Sequence, residues 1–353
     1  MDPLTQGVVG VTASQLVAKR SQKLIAAALG FFSGMAADLD VLIKSETDPL
    51  LFLEYHRHFT HALVFIPLGA LICALLFALV FRRWLHRSSI NFKAVYLFCF
   101  AGYATHAVLD ACTTYGTQLL WPFSDARIAW NTVSVVDPLF TLPLLVIVAF
   151  AVLRRSHRFA VMGLVYALGY LGLGVVQEHR ALGAARTLAE SRGHTPVQLG
   201  VKPSFGNLIV WKSVYQYGDS YYVDAVRVLT KAQVYSGVSA SKLDLSQHFP
   251  WLESDSQQAL DVARFAWFSN QHLGIDPHNP NRIIDIRYSL IPNQITGMWG
   301  VTLNPNATQS SHVTWSNSRP AGTAAKRRLR ELWQMILGAD AQSLDTLVSR
   351  YSD

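Results

Sequence analysis

Charge is scarce in this chain. Asp, Glu, Lys and Arg make up 15 % of its 353 residues, and hydrophobic residues make up 51 %. An ordinary soluble domain carries roughly a quarter charged residues, so a wholly soluble protein is excluded. Cysteine is rarer still. Cys73, Cys99 and Cys112 all lie in or beside apolar runs, which leaves no disulfide framework and no thiolate zinc motif. The opening "MDPLTQG" begins with an acid and has no basic stretch before its apolar run, so a cleavable signal peptide is not expected. The second half of the chain shows no nucleophile elbow, phosphate loop or repeat. Its one basic run, Lys326-Arg327-Arg328-Leu329-Arg330, reads as the solvated face of a C-terminal helix, so no nucleic-acid partner is expected.

What the chain has in quantity is apolar sequence, and it is concentrated before about Val176. Crossing a bilayer takes about 20 mostly apolar residues. Residues 62–81 ("ALVFIPLGALICALLFALVF") carry no charge. Residues 94–111, 135–153 and 159–176 are similar, with His106, Asp110 and Asp137 at their ends. Two shorter runs, 3–18 and 24–37, are rich in small residues that allow close helix contact. The expected architecture is a mainly α-helical membrane domain of about six apolar helices over residues 1–180. A smaller, mixed α/β, strand-rich soluble domain follows over 187–353.

Basic residues cluster after alternate runs, at Lys19-Arg20-Lys23, Arg82-Arg83-Arg87 and Arg154-Arg155-Arg158. The opposite loops hold Lys44, Arg57 and Arg127. The positive-inside rule makes the basic side cytoplasmic. A multi-pass protein of a bacterial inner membrane is expected, with its C-terminal domain periplasmic or extracellular.

Ionisable groups gather on the other face. "HRHFTHALVF" places His56, His58 and His61 directly before a charge-free span. Asp38 and Asp40 ("GMAADLDVL") end an apolar run on the same side, and His106, Asp110, Asp137, Asp2 and Gln6 join them. His58 and His61 are three apart, and His106 and Asp110 four apart, so each pair shares a helix face. Such pairs from facing helices build metal sites in bundles. Imidazole and carboxylate without thiolate suit zinc or another divalent ion with an open position. The expected ligands are Asp38, Asp40, His56, His58, His61, His106 and Asp110. Their number suggests one to three ions, Zn²⁺ first and Mn²⁺ as an alternative. Two or more ions suit displacement at a phosphoester. Asp38 or Asp137 would serve as base or orienting carboxylate. His86, His157 and His179 flank basic loops or helix ends; His194, His248, His272, His278 and His312 lack ligand spacing and read as surface residues.

"MDPLTQG", "GMAADLDVL", "HRHFTHAL", "GYATHAVLDACTTYGTQLLWPFS" and "SVVDPLF", in that order, resemble the successive motifs of the YdjM-like (LexA-regulated) membrane-bound metal-dependent hydrolases. The resemblance covers nearly the whole membrane half, and residues 206–228 resemble the start of the soluble tail of many members. It implies a remote relation to zinc-dependent phospholipase C and its sister single-strand nucleases, with their multi-zinc sites. Carried over by position, it implies Asp38 or Asp40, His61 and the His106–Asp110 pair as ligands. Members usually have His where this chain has Gln6, which weakens a metal position near the N-terminus unless His56 or His58 substitutes.

In the tail, "NLIVWKSVYQY" and "SYYVDAVRVLT" read as strands around a Gly218-Asp219 turn. "RFAWFS", "RIIDIRYSLI" and "MWGVTLNP" continue the strand pattern. A short helix is expected within 248–268 and an amphipathic one over 324–340. The tail is read as a lid or substrate-selecting module, with a purely structural role as the alternative. The expected function is a metal-dependent hydrolase of a phosphoester, lipid or lipid-linked, at the outer face of the membrane. The alternatives are a metal or proton transporter, which would need ionisable groups through the membrane's depth, and a non-catalytic membrane protein with a structural metal site.

Overall fold

The computed structural model describes residues 1–340, so the last 13 positions of the expected 187–353 domain lie outside the described residues. The chain divides into two compact units. One comprises Met1–Ile43, Tyr55–Val175 and Phe205–Asn207; the other comprises Lys44–Glu54, Val176–Ser204 and the chain from Leu208.

In the first unit α1 (Pro3–Val17) starts where sequence rules place a start. Pro3 occupies the first turn and the Asp2 carboxylate accepts the Thr5 amide at 3.0 Å. α2 (Lys23–Met35) runs into a 3₁₀ segment, Ala36–Leu42. Short α3 (Leu51–Tyr55) belongs to the inserted segment, mostly within the second unit. α4 (Ile66–Val80), α5 (Arg82–Arg87), α6 (Phe92–Ala111) and α7 (Pro138–Leu153) follow, and then the 35-residue α8 (His157–Ser191), which from Val176 onward belongs to the second unit. α1, α2 and α6 pack backbone to backbone through small residues. A Cβ on Gly34 would lie 2.8 Å from the Gln6 carbonyl oxygen, and one on Gly102 would lie 2.6 Å from that of Gly30. Leu29, Phe98, Cys99 and Tyr103 fill one core, and Val8, Leu109, Phe140 and Leu144 another.

Leu79, Leu153 and Val165 are 75 %, 77 % and 63 % exposed, a belt of apolar surface that water would not favour and lipid would. Among the described residues, four helical segments are long and apolar enough to cross a membrane: Arg20–Leu42, Leu63–Val80, Phe92–Ala111 and His157–Ser191. The expected count of six is therefore not reached by length alone. α1 and α7 have 15 and 16 residues, about 22–24 Å of helix against a hydrocarbon core of about 30 Å. All three cysteines are buried and free.

The second unit is rich in strands. β1 (Gln198–Pro203), β2 (Val210–Tyr217), β3 (Ser220–Val228) and β4 (Ala232–Ser241) form one antiparallel sheet in that order. Its β2–β3 hairpin closes on Gly218-Asp219, with Tyr217 opposite Ser220 and Gly218 at φ +56°, the left-handed backbone that a tight hairpin needs. After α9 (Leu245–His248) and α10 (Gln257–Phe268), a second antiparallel sheet orders β5 (Leu273–Asp276), β6 (Asn279–Asp285), β7 (Trp299–Thr302) and β8 (Thr314–Asn317). α11 (Gly322–Leu337) ends on Gly338 at φ +88°. "RFAWFS" is not a strand. It closes α10, because Gln258, Val262, Phe265 and Phe268 recur at helical spacing and are buried, and the Ser256 hydroxyl caps the helix. His272 and His312 are not free surface residues either. The first is 9 % exposed, and the second bonds Asp261 through Nδ1 at 2.8 Å.

Candidate metal centre

Three stretches of the first unit converge. The 3₁₀ segment after α2 carries Asp38 and Asp40, the turn before α4 carries His56 to His61, and the last two turns of α6 carry His106 and Asp110. The middle stretch is bent at Arg57, whose φ of +63° is uncommon for a residue with a side chain. The bend is held from both ends: the Arg57 amide donates to Asp40 Oδ2 at 2.8 Å, its Nε pairs with Asp110 Oδ2 at 2.9 Å, and its Nη1 donates to Thr113 Oγ1 at 2.9 Å.

One potential ligand atom from each of Asp38, His61, His106 and Asp110 lies within 4.8 Å of the other three. His61 Nε2 and His106 Nε2 are 3.0 Å apart. Asp38 Oδ1 stands 3.6 and 3.3 Å from these two nitrogens, and Asp110 Oδ2 stands 3.2 and 3.6 Å from them. His61, His106 and Asp110 are fully buried, while the Asp38 side chain is 19 % exposed. The cluster therefore opens on the Asp38 side.

The partners on the far side of each ring fix which nitrogen carries a proton. His106 Nδ1 donates to the Gly34 carbonyl at 2.6 Å, an atom that only accepts. Thr60 Oγ1 spends its own hydrogen on Asp40 Oδ2 at 2.9 Å and accepts from His61 Nδ1 at 3.0 Å. Both Nδ1 atoms are thus donors, and in the neutral rings both Nε2 lone pairs point at the same place. Facing lone pairs 3.0 Å apart, flanked by two carboxylates, call for a cation between them. Burial alone would depress the His61 pKa, but hydrogen bonds to Asp110, Asp38 and Asp40 outweigh it and raise the value to about 10.

A second group, Asp38, Asp40 and His56, shares Asp38 with the first. Here Asp40 is already well used: Oδ1 bonds His56 Nδ1 at 2.8 Å, and Oδ2 serves Arg57 N–H, Thr60 Oγ1 and, at 3.2 Å, His61 Nδ1. Gln6 is fully buried beside the first group. Its Nε2 donates to Asp110 Oδ1 at 2.8 Å, and its Oε1 has no hydrogen-bond partner among the described residues. The Met1 amine also bonds Asp110.

Two expected site residues stand apart from both groups. The His58 ring packs against Trp121 and Tyr55, with centroids 5.3 and 5.5 Å away. Asp137 caps α7, accepting the Leu139 and Phe140 amides at 3.1 and 3.2 Å, and bonds Tyr170 Oη at 2.9 Å. Arg57, conversely, was not among the expected site residues. Its signal was its place: a lone basic residue between two histidines, on the face that the basic clusters avoid.

Residues 1–181, half of the chain, match the sequence model of the YdjM inner membrane protein family. An 84-residue stretch is 37 % identical to the inner membrane protein YbcI of Escherichia coli (strain K12), over 23 % of this chain and 44 % of that protein. The chain thus spans less than half the length of this curated relative. No solved structure matches.

Proposed function

The chain belongs to the YdjM inner membrane protein family, and from that premise we propose that it is a metal-dependent hydrolase of the inner membrane. Its substrate would be a phosphoester, carried by a lipid or lipid-linked molecule that reaches the site by lateral diffusion. The observation that carries the reading is the shape of the first group. Five of its six edges run from 3.0 to 3.6 Å. A tetrahedron on ligand bonds of about 2.0–2.1 Å, those of zinc to nitrogen and carboxylate oxygen, has edges of about 3.3–3.4 Å. Asp38 is common to both groups.

Held by these residues, a divalent ion would supply Lewis acidity and, by taking water as a further ligand, would lower that water's pKa towards neutrality. The chain's own residues do the rest. His61 and His106, oriented through Asp40 and the Gly34 carbonyl, present lone pairs rather than N–H groups. Asp38, on the open side, is placed to accept a proton from water. Arg57 pairs with Asp110 and faces the centre as a fixed positive charge. Asp137, spent on capping α7, acts as a structural anchor rather than a base.

Topology is supported by a parity argument. Asp48 and Glu54 pair with Arg264 inside the second unit, so the inserted segment and the tail share one side of the membrane. An even number of crossings must then separate them. Leu63–Val80, Phe92–Ala111 and α8 supply three, and α7 is the natural fourth. With the three basic clusters inside, the tail is periplasmic.

The test is metal content and turnover of detergent-purified protein. One to three divalent ions per chain are expected, with phosphoester cleavage that chelator abolishes and zinc or manganese restores, and that Asp110→Asn lacks. Stoichiometric metal in the His61→Ala, His106→Ala double variant would sink the site. Metal uptake into proteoliposomes without turnover on a broad phosphoester and lipid panel would favour a transporter.

A further inference from the structure

Residues 44–54 join the two ligand-bearing stretches along the chain. Asp40 stands four positions before the segment, and His56 two positions after it. Yet the segment packs as part of the strand-rich unit. Arg264 on α10 is what holds it. The guanidinium grips both oxygens of Asp48, at 3.0 and 2.8 Å, and its Nε reaches Glu54 Oε1 at 2.5 Å. The same Nη1 bonds Asp261 Oδ1 at 3.0 Å. Asp261 is fully buried and itself pinned by the Val313 amide at 3.1 Å and His312 at 2.8 Å. Phe52 packs edge-on to Trp315 at 5.2 Å between centroids, and Trp315 meets Phe265 at 6.0 Å.

A stability role explains this poorly. The Asp48 and Glu54 side chains are 25 % and 36 % exposed, so solvent screens these two pairs and reduces what each adds to folding. What a planar fork on three carboxylates provides is geometry, since each partner fixes the guanidinium and the guanidinium fixes the other two. A lysine could not reproduce it. We propose that Arg264 is a positioning residue for the metal centre: by clamping Asp48 and Glu54 it fixes the chain between Asp40 and His56, and so the approach of the two ligand stretches. This rests on the metal-site reading above, and it gives the tail a defined task.

The experiment uses full-length protein in micelles: wild type, Arg264→Ala, Arg264→Lys and Arg192→Ala. The last is a control that breaks another two-bond ion pair of the same unit, Arg192 to Asp224 at 2.7 and 2.8 Å. Zinc affinity is read by chelator competition, ligand geometry by the visible spectrum of the cobalt-loaded protein, and chain order by hydrogen exchange over residues 55–61. Arg264→Ala is expected to lose about tenfold in zinc affinity, alter the cobalt bands and raise exchange over 55–61. Arg264→Lys should fall nearly as far, and Arg192→Ala should match wild type in all three. Equal loss in Arg192→Ala would show that any damage to the tail suffices, and would overturn the proposal. Wild type that takes up neither metal would sink the metal reading instead. The positioning is then still decided by exchange in the metal-free protein, where unchanged protection in Arg264→Ala overturns it.

Discussion

Replacing Asp40 by asparagine separates orientation from ligation. The side chain is fully buried and carries four contacts: His56 through Oδ1, and Arg57 N–H, Thr60 Oγ1 and His61 Nδ1 through Oδ2. Asparagine keeps the shape. Its amide oxygen can take the Oδ2 position and retain three donors, while its NH₂ faces His56, whose ring can switch tautomer and accept. The fold should therefore survive, with a melting temperature close to wild type. What disappears is the negative charge behind His61, which makes that imidazole a better donor of its Nε2 lone pair. Losing such an outer partner typically lowers metal affinity about 10–100-fold, or about 1.4–2.7 kcal/mol. Chelator competition on purified protein measures it. Affinity within twofold of wild type would show that Asp40 does not orient His61. A thousandfold loss at unchanged melting temperature would refute the reasoning from the other side, making Asp40 a direct ligand.

Three further outcomes test other parts of the structure. Gly34→Ala should lower both the melting temperature and metal retention, because the new Cβ would sit 2.8 Å from the Gln6 carbonyl oxygen and shift the residue whose own carbonyl holds His106. His58→Phe should keep its metal, since that ring packs among Tyr55, Phe59 and Trp121, whereas Asp38→Asn should lose it. In the tail, burial lowers the Lys212 pKa from 10.5 to about 7, on the order of 5 kcal/mol between its charged and neutral forms. Between those two values the unfolded chain binds more protons than the folded one, so stability should rise from pH 7 to pH 10.5 and this contribution should be flat below 7. Lys212→Met should remove that slope, as read by the tryptophan-fluorescence unfolding midpoint at several pH values.

The fold was legible where a single local rule decides. The Gly218-Asp219 hairpin stands where the sequence puts it, and α1 and α7 start at Asp2-Pro3 and Asp137-Pro138, in each case an aspartate cap followed by proline. Legibility failed where two rules compete. "RFAWFS" has the composition of a strand, but the apolar spacing that reaches back through Phe265 to Val262 is helical, and the longer period wins. Membrane crossing is a harder case. α7 is apolar throughout but has 16 residues, and neither its composition nor its length says whether it spans. The contact that bears on it joins Arg264 and Asp48, 216 positions apart, which no window along the sequence contains.

The site divides in the same way. His106 and Asp110 could be paired from the sequence because they ride one helix and four positions make one turn. His56, His58 and His61 look like one cluster in the sequence, yet the structure sends them three ways: His61 into the first group, His56 into the second, and His58 into an aromatic nest. Spacing misleads here because it presumes a regular backbone, and Arg57 at φ +63° breaks that regularity between the first two histidines. The residue that breaks it is also the one whose guanidinium pairs with Asp110. Its side chain and its backbone thus act on the same centre: the bend delivers the histidines, and the charge restrains the carboxylate that faces them. Neither role has a sequence signature of its own, since a positive φ on arginine is a property of the completed fold and of the carboxylates at 40 and 110 that hold it.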